Sequence, residues 1–150
     1  MKLTDFVSTY PVGRIGVTAE GIECILPKGV TVTTMSKFGE WLVGPLMPAY
    51  TFGQKLRFNE NTLPWLSVNT IVHECTHALQ EQRMGWLSYR ATYFWQSFLS
   101  MMKGGPVHIH EYHEMEAEGR YVGETISRIT KAQSLRQLDV EVAIKKLMNW

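Results

Sequence analysis

The pentapeptide His73-Glu74-Cys75-Thr76-His77 is the stretch that decides how this chain folds and what it can bind. Histidines at positions i and i+4 lie on one face of an α-helix, so both imidazoles can bind one tetrahedral zinc ion. The glutamate after the first histidine then points toward the open side of the metal, where it can take a proton from water. The pattern therefore predicts two ligands, His73 and His77, and a general base, Glu74. The alternative is a surface helix that carries two unrelated histidines.

The sequence on either side of the pentapeptide predicts that this helix is buried. Apolar residues recur at helical spacing on one side, while the two histidines and Gln80 fall on another side. Ser67 or Asn69 is suited to cap the start of the helix, and Gly85 is suited to end it. An apolar stripe and a separate metal-binding stripe are typical of a helix at the floor of a cleft.

The composition is that of an ordinary globular protein. The 150 residues are 45% hydrophobic and 19% charged, with a net charge of +1, which excludes global disorder and gives no reason to expect a nucleic acid partner. Two cysteines, Cys24 and Cys75, do not make a disulfide framework. We find no signal peptide and no apolar run long enough for a transmembrane segment, so we expect a cytoplasmic chain.

The rest of the sequence predicts a small sheet before the motif and helices after it. Residues 12–33 are β-rich, and residues 51–59 alternate as one strand. Residues 86–102 hold ten large apolar side chains and are expected to form a second core helix. The alternative is an exposed aromatic–methionine surface for a protein partner or a membrane face. Residues 111–131 predict a long helix, and a capping-box pattern at Ser134 predicts another.

A catalytic zinc site needs a third protein ligand and an open coordination position. A third histidine six residues after the second would supply it, but position 83 is Arg. The richest candidate segment is 108–118, which carries three of the five histidines and four carboxylates. These residues could equally form a polar loop and a solvated helix face.

Two motifs resemble those of a known family. Residues 73–80 read H-E-x-x-H-x-x-Q and residues 114–117 read E-x-E-A. Together they resemble the gluzincin-type zinc metallopeptidases of short bacterial and phage proteins, over roughly residues 50–125. The resemblance implies that Glu114 is the third zinc ligand. Glu118, one helical turn further on, would then be placed to accept a hydrogen bond from the far nitrogen of His73 or His77.

We therefore expect an α+β, zincin-like fold, with residues 1–150 as a single domain. In it, a small N-terminal β-sheet is followed by the H-E-x-x-H helix and a C-terminal helical part. An edge strand of such a fold borders the cleft and can hold a peptide in extended form by main-chain pairing. A cytoplasmic location is expected, or a virion-associated one if the chain is phage-encoded.

The expected function is that of a zinc metallopeptidase acting on a peptide or protein substrate. Zn²⁺ would be held by His73, His77 and Glu114, while Glu74 would deprotonate the attacking water. Tyr112, Tyr121 and the histidines of segment 108–118 are candidates to donate a hydrogen bond to the reacting carbonyl. The alternative is a non-enzymatic structural or binding component of a phage or secretion apparatus. A closed site, with His110 or His113 as a fourth ligand, would favour that alternative.

Overall fold

Helices and two small sheets make up residues 14–37, 48–105 and 113–150, which are the residues that the computed structural model describes. The helices are α1 (Val68–Met84), α2 (Trp86–Gly104), α3 (Glu114–Ala132) and α4 (Val140–Met148). A short 3₁₀ helix, Glu60–Trp65, precedes α1. The predicted α+β composition is confirmed.

The first sheet has the order β1-β2-β6 and joins the two ends of the chain. Its strands are β1 (Arg14–Val17), β2 (Glu23–Ile25) and β6 (Gln137–Asp139). β2 pairs antiparallel with β1 and parallel with β6. The helix predicted to begin at Ser134 therefore begins six residues later, at Val140, and is α4. The reason is that residues 137–139 pair with β2, and the side chain of Asp139 caps α4 by accepting from the backbone N–H of Val142.

The second sheet has the order β3-β5-β4, so β4 lies at an edge. Its strands are β3 (Thr31–Thr34), β4 (Ala49–Phe52) and β5 (Lys55–Phe58). The strand predicted over 51–59 is confirmed at β5, but residues 51 and 52 belong to β4, because β4 and β5 form a hairpin whose tight turn contains Gly53. Gly53 has a φ of 65°, a backbone conformation that glycine adopts without steric cost.

The apolar stripe predicted on α1 forms part of the core. Its members pack with residues of both sheets, α3 and α4, and none is more than 2% exposed: Val68, Ile71, Val72, Cys75 and Leu79. Ser67 caps the helix by accepting from the backbone N–H of Thr70, and Gly85 ends it. Both cysteines are free and buried, and burial raises the pKa of the Cys75 thiol well above its ordinary value.

Two glycines let α3 approach α1 closely. Gly119 and Gly123 lie one turn apart on the same side of α3. A Cβ added to Gly119 would lie 3.1 Å from Cε1 and Nδ1 of His73, and one added to Gly123 would lie 2.9 Å from the backbone oxygen of Asn69. Glu116 lies on this same side of α3, so the close approach of the helices brings its carboxylate to α1.

Helix α2 is not the core helix that the sequence predicts. Eight of its ten large apolar residues are 36% to 73% exposed. We refer to these eight as the apolar face of α2: Trp86, Leu87, Phe94, Trp95, Phe98, Leu99, Met101 and Met102. The side of α2 that packs inward carries polar atoms instead, including the hydroxyls of Tyr89, Tyr93 and Ser100. In the part of the chain that the structure describes, no helix is long and apolar enough to cross a membrane.

Candidate metal centre

His73, His77 and Glu116 meet where α1 and α3 cross. One ligand atom from each residue lies within 4.8 Å of the others. Nε2 of His73 and Nε2 of His77 are 3.1 Å apart. The carboxylate oxygens of Glu116 lie 3.3 Å from Nε2 of His73 and 3.4 Å from Nε2 of His77. The three residues could therefore hold a metal ion.

The distances within the cluster test which kind of ion would fit. Ligand atoms at about 2.0–2.1 Å from a tetrahedral zinc are separated from each other by roughly 3.3–3.4 Å. Each pair taken singly is close to these values: the two imidazole nitrogens are 3.1 Å apart, Nε2 of His73 lies 3.3 Å from Oε2 of Glu116, and Nε2 of His77 lies 3.4 Å from Oε1 of Glu116. Two imidazole nitrogens and one carboxylate oxygen are also a known donor set of catalytic zinc. The three residues thus form a donor set that a metal ion such as Zn²⁺ accepts.

A hydrogen bond fixes the tautomer of His77. Its Nδ1 lies 2.9 Å from Oε1 of Gln80, and because an amide oxygen can only accept, Nδ1 carries the proton. When the ring is neutral, as metal binding requires, Nε2 then directs its lone pair into the cluster. Gln80 in turn donates from Nε2 to Oε2 of Glu118, at 2.5 Å. The sequence predicted that Glu118 would accept directly from a histidine, whereas the structure places Gln80 between His77 and Glu118.

The structure places Glu116, and not Glu114, beside the two histidines. Glu114 is exposed, and its Oε2 accepts a hydrogen bond from Nε2 of Gln96 on α2. Two residues that are two apart on a helix differ by about 200° around its axis, so only one of these glutamates can face α1. The candidate third ligand is therefore corrected by two positions, from Glu114 to Glu116.

The carboxylate of Glu116 is ionised. Burial opposes its ionisation, but hydrogen bonds from His73, His77 and Tyr93 outweigh burial and hold the pKa of the carboxyl well below its usual range. The same contact raises the pKa of His77 above its ordinary value. Burial lowers this pKa, but the carboxylates of Glu116 and Glu74 raise it by a larger amount. The negative charge of Glu116 therefore lies beside two imidazoles, and this arrangement favours the binding of a cation.

Tyr93 and His113 complete the surroundings of Glu116. The hydroxyl of Tyr93 donates to Oε1 of Glu116 at 2.5 Å. His113 is fully buried and caps α3, because its Nδ1 accepts from the backbone N–H of Glu116 while its Nε2 donates to the backbone oxygen of Tyr93. Both ring nitrogens of His113 are engaged in these bonds, so it does not act as a fourth metal ligand. Tyr93 could not be assigned to the site from the sequence, because it lies among many aromatic residues.

The tyrosines that the sequence did single out lie elsewhere. Tyr112 falls outside the described residues, as do His108 and His110. Tyr121 is 57% exposed. It is separated from Glu116 by about 140° around α3, and it does not line the cleft next to Glu74.

Glu74 lies at the floor of a cleft of about 610 Å³ that also opens on His73, His77 and Glu116. Its Oε2 accepts a hydrogen bond from Oγ1 of Thr51, at 2.7 Å. Among the described residues no group donates to its other oxygen, Oε1. One wall of the cleft is strand β4, and the other wall is contributed by α2 through Tyr89, Arg90, Tyr93, Phe94 and Ser97. The predicted base and the candidate ligands therefore face one shared space.

Comparison with protein-family models, with curated proteins and with solved structures gives no match to this chain. What the sequence and the structure define is an α+β protein with a His/His/Glu cluster, able to bind a metal ion, at the floor of an open cleft.

Proposed function

We propose that this protein is a zinc-dependent metallopeptidase that hydrolyses peptide bonds. The observation that carries the proposal is the position of Glu74, which opens on the same cleft as His73, His77 and Glu116. Zn²⁺ would be held by those three residues, where it would supply Lewis acidity to water and to a carbonyl group. A closed site would leave no such space next to a general base.

Glu74 is suited to move the proton of the attacking water. Thr51 occupies Oε2 and holds the carboxylate in one orientation, so Oε1 is the atom that would accept the proton. The same oxygen would then deliver the proton to the leaving amine. Because Glu74 is only 8% exposed, the carboxylate is largely protected from bulk water during this transfer.

Tyr93 is suited to hold the third ligand in place. Its hydroxyl donates to Glu116, and burial, together with the nearby carboxylates of Glu116 and Glu74, raises its pKa far above neutrality. The hydroxyl therefore keeps its proton at physiological pH and remains a hydrogen-bond donor.

Strand β4 supports a peptide as the substrate. The backbone N–H of Asn59 bonds to the oxygen of Pro48 at 3.0 Å, and ladder bonds alternate along an antiparallel pair. Ala49 and Thr51 therefore direct their N–H and C=O groups away from β5, toward the edge of the sheet. No described strand pairs with that edge, so an extended peptide could add to it beside Glu74.

The test is a cleavage assay with zinc-loaded protein and a mixed peptide library, read by mass spectrometry. The matched control is Glu74→Gln, which should keep its zinc and lose turnover because Glu74 acts on water and not on the metal. Failure of the zinc-loaded wild-type protein to cleave any peptide would refute the proposal. Loss of zinc from the variant would show instead that Glu74 is a ligand.

A second candidate function is that of a non-enzymatic binding component, and the apolar face of α2 favours it. Phe94, Trp95 and Phe98 are 73%, 57% and 40% exposed. At roughly 150–250 Å² per aromatic side chain, these three alone expose on the order of 300 Å². The five other residues of the face enlarge this area beyond what soluble monomers usually leave in water. A metal-loaded protein without peptidase activity would favour this candidate over the first.

A further inference from the structure

Two arginines meet over one exposed aromatic ring at the mouth of the cleft. The guanidinium carbon of Arg90 lies 3.7 Å from the centroid of the Phe52 ring, and that of Arg57 lies 5.7 Å from it. Arg57 also lies 5.5 Å from the ring centroid of Tyr50, its cross-strand partner in the β4–β5 hairpin. Tyr50, Phe52 and Arg90 line the cleft. The rim therefore combines Arg90 with two aromatic rings, and Arg57 lies next to both rings without lining the cleft itself.

Most of the hydrogen-bonding capacity of these guanidinium groups is unused. Within the described residues, Arg57 has no carboxylate at ion-pair distance, and its hydrogen bond to the backbone oxygen of Phe52 is long, at 3.5 Å. Arg90 reaches Glu81 through Nη2 at 3.5 Å, and no described residue accepts a hydrogen bond from its buried Nε. An unpaired buried donor carries a free-energy cost, which a ligand that draws the guanidinium into a better bond would relieve.

The distance, measured along β4, between Glu74 and these arginines determines which residue of a bound peptide could reach the arginines. Thr51 bonds to Glu74 and stands between Tyr50 and Phe52 in β4, whose side chains point to the opposite face. In a peptide paired with β4, the residue opposite Thr51 would lie next to Glu74. Its two neighbours would direct their side chains to the face that carries Phe52 and Arg57. A substrate group would thus reach the arginines from within about two residues of the scissile bond.

We propose that the cleft selects substrates with a carboxylate group within about two residues of the bond to be cleaved, and that Arg57 and Arg90 bind this group. This inference rests on the proposed peptidase function. A guanidinium matches a carboxylate by charge and by its planar pair of N–H groups. Because Glu81 already offsets part of the charge of Arg90, Arg57 carries the larger share. The carboxylate can belong to an Asp or Glu side chain or to the C-terminus of the peptide.

The experiment measures binding and cleavage separately. Binding is measured by fluorescence anisotropy with zinc-loaded Glu74→Gln protein and three labelled peptides: one with an internal Glu, the same peptide with Gln, and the Gln peptide shortened to end in a free carboxylate near the bond. The Glu peptide and the Gln peptide have an amidated C-terminus, so that the shortened peptide is the one with a free C-terminal carboxylate. We expect the Glu peptide or the shortened peptide to bind about tenfold more tightly than the neutral peptide, with the advantage falling as salt is added. The arm that binds more tightly identifies the source of the carboxylate.

Arg57→Gln should remove most of this advantage. The matched control is Arg83→Gln, which also removes a guanidinium next to an aromatic ring, at 5.0 Å from the centroid of Trp150, but that ring does not line the cleft as Tyr50 and Phe52 do. Arg57→Glu should transfer the preference to a peptide with Lys in place of Glu, which shows that the variant is folded. Equal binding of charged and neutral peptides, or equal effects of Arg57→Gln and Arg83→Gln, would overturn the inference.

Cleavage by the wild-type protein separates this inference from the function on which it rests. Cleavage of neutral and acidic peptides at equal kcat/KM would overturn the carboxylate preference and leave the peptidase proposal standing. Selective binding of acidic peptides without any cleavage would refute the peptidase proposal, while the assignment of Arg57 to a carboxylate would stand as a property of a binding protein.

Discussion

Replacing Glu116 by Gln tests the register of the candidate metal site. The change keeps the shape of the side chain and removes its negative charge, which lies 3.3 Å from Nε2 of His73 and 3.4 Å from Nε2 of His77. Glu114→Gln is the matched control, because both glutamates lie in the first turn of α3 and share the same helix dipole. The two variants therefore differ in the direction of the side chain and not in net charge.

The structure gives different magnitudes for the two variants. Loss of a residue that only supports a metal ligand lowers metal affinity about 10- to 100-fold, so loss of a direct ligand should exceed about 100-fold, or roughly 2.7 kcal/mol. Glu114 is exposed and contacts Gln96 instead of the histidines. Its replacement should cost no more than the weakened helix dipole, about 0.3–1 kcal/mol of stability, with little change in zinc affinity.

The assay is competition for zinc against a chromophoric chelator, with circular dichroism as the check on folding. A larger loss of zinc affinity in Glu114→Gln than in Glu116→Gln would refute the placement of α3 and restore the register that the family resemblance implies. Equal small losses in both variants would show that neither glutamate binds the metal. That result would also remove the donor set on which the zinc proposal depends.

Two further variants test the packing and the hydrogen bonds that hold the site. Gly123→Ala should lower the free energy of unfolding by roughly 1–3 kcal/mol, because the new Cβ would lie 2.9 Å from the backbone oxygen of Asn69. Chemical denaturation measures this loss, and a stabilised variant would contradict the close helix approach. Gln80→Leu should lower zinc affinity about 10- to 100-fold, because the Nδ1–H of His77 loses its acceptor. Gln82→Leu, which changes an exposed glutamine of the same helix, should leave the affinity unchanged in the same competition assay.

Helix α1 could be predicted from the sequence because its signals are local. The apolar spacing, the capping serine Ser67 and the terminating Gly85 all lie within the helix or next to it, and the structure confirms each of them. The direction of the two histidines follows from helical geometry alone. The bond from His77 to Gln80 is also local, since the two residues are three apart on α1, but the bond that orients the amide of Gln80 is made to Glu118 on another helix.

The third ligand could not be placed by the same reasoning. Glu114 and Glu116 belong to one motif, and helical periodicity says only that they point in different directions. The choice between them depends on which side of α3 faces α1. A signal for that side was present in the sequence, because Gly119 and Gly123 share a side with Glu116 and small residues mark close helix contacts. The spacing of the two glycines therefore favours Glu116 over Glu114.

Helix α2 shows a second limit of periodicity. An apolar stripe predicts that a helix has an apolar side and a polar side. It does not predict which of the two sides packs against the rest of the protein. In α2 the inward side is held by hydrogen bonds, from Tyr93 to Glu116 and from the backbone N–H of Met115 to Gln96. These bonds depend on the position of α3 and could not be inferred from α2 itself. The large apolar residues are left on the opposite side, where they form the apolar face.

The two candidate functions require different environments for Phe94 on α2. Phe94 belongs to the apolar face of α2 and also lines the cleft, while its neighbour Tyr93 holds Glu116. A peptidase needs the cleft open at Phe94 so that a peptide can reach Glu74. A binding component would bury Phe94 under its partner, and the same contact would close one side of the cleft. Cleavage of peptides by the isolated chain would therefore indicate that the cleft is open at Phe94. A partner that covers the apolar face of α2 should then inhibit that cleavage.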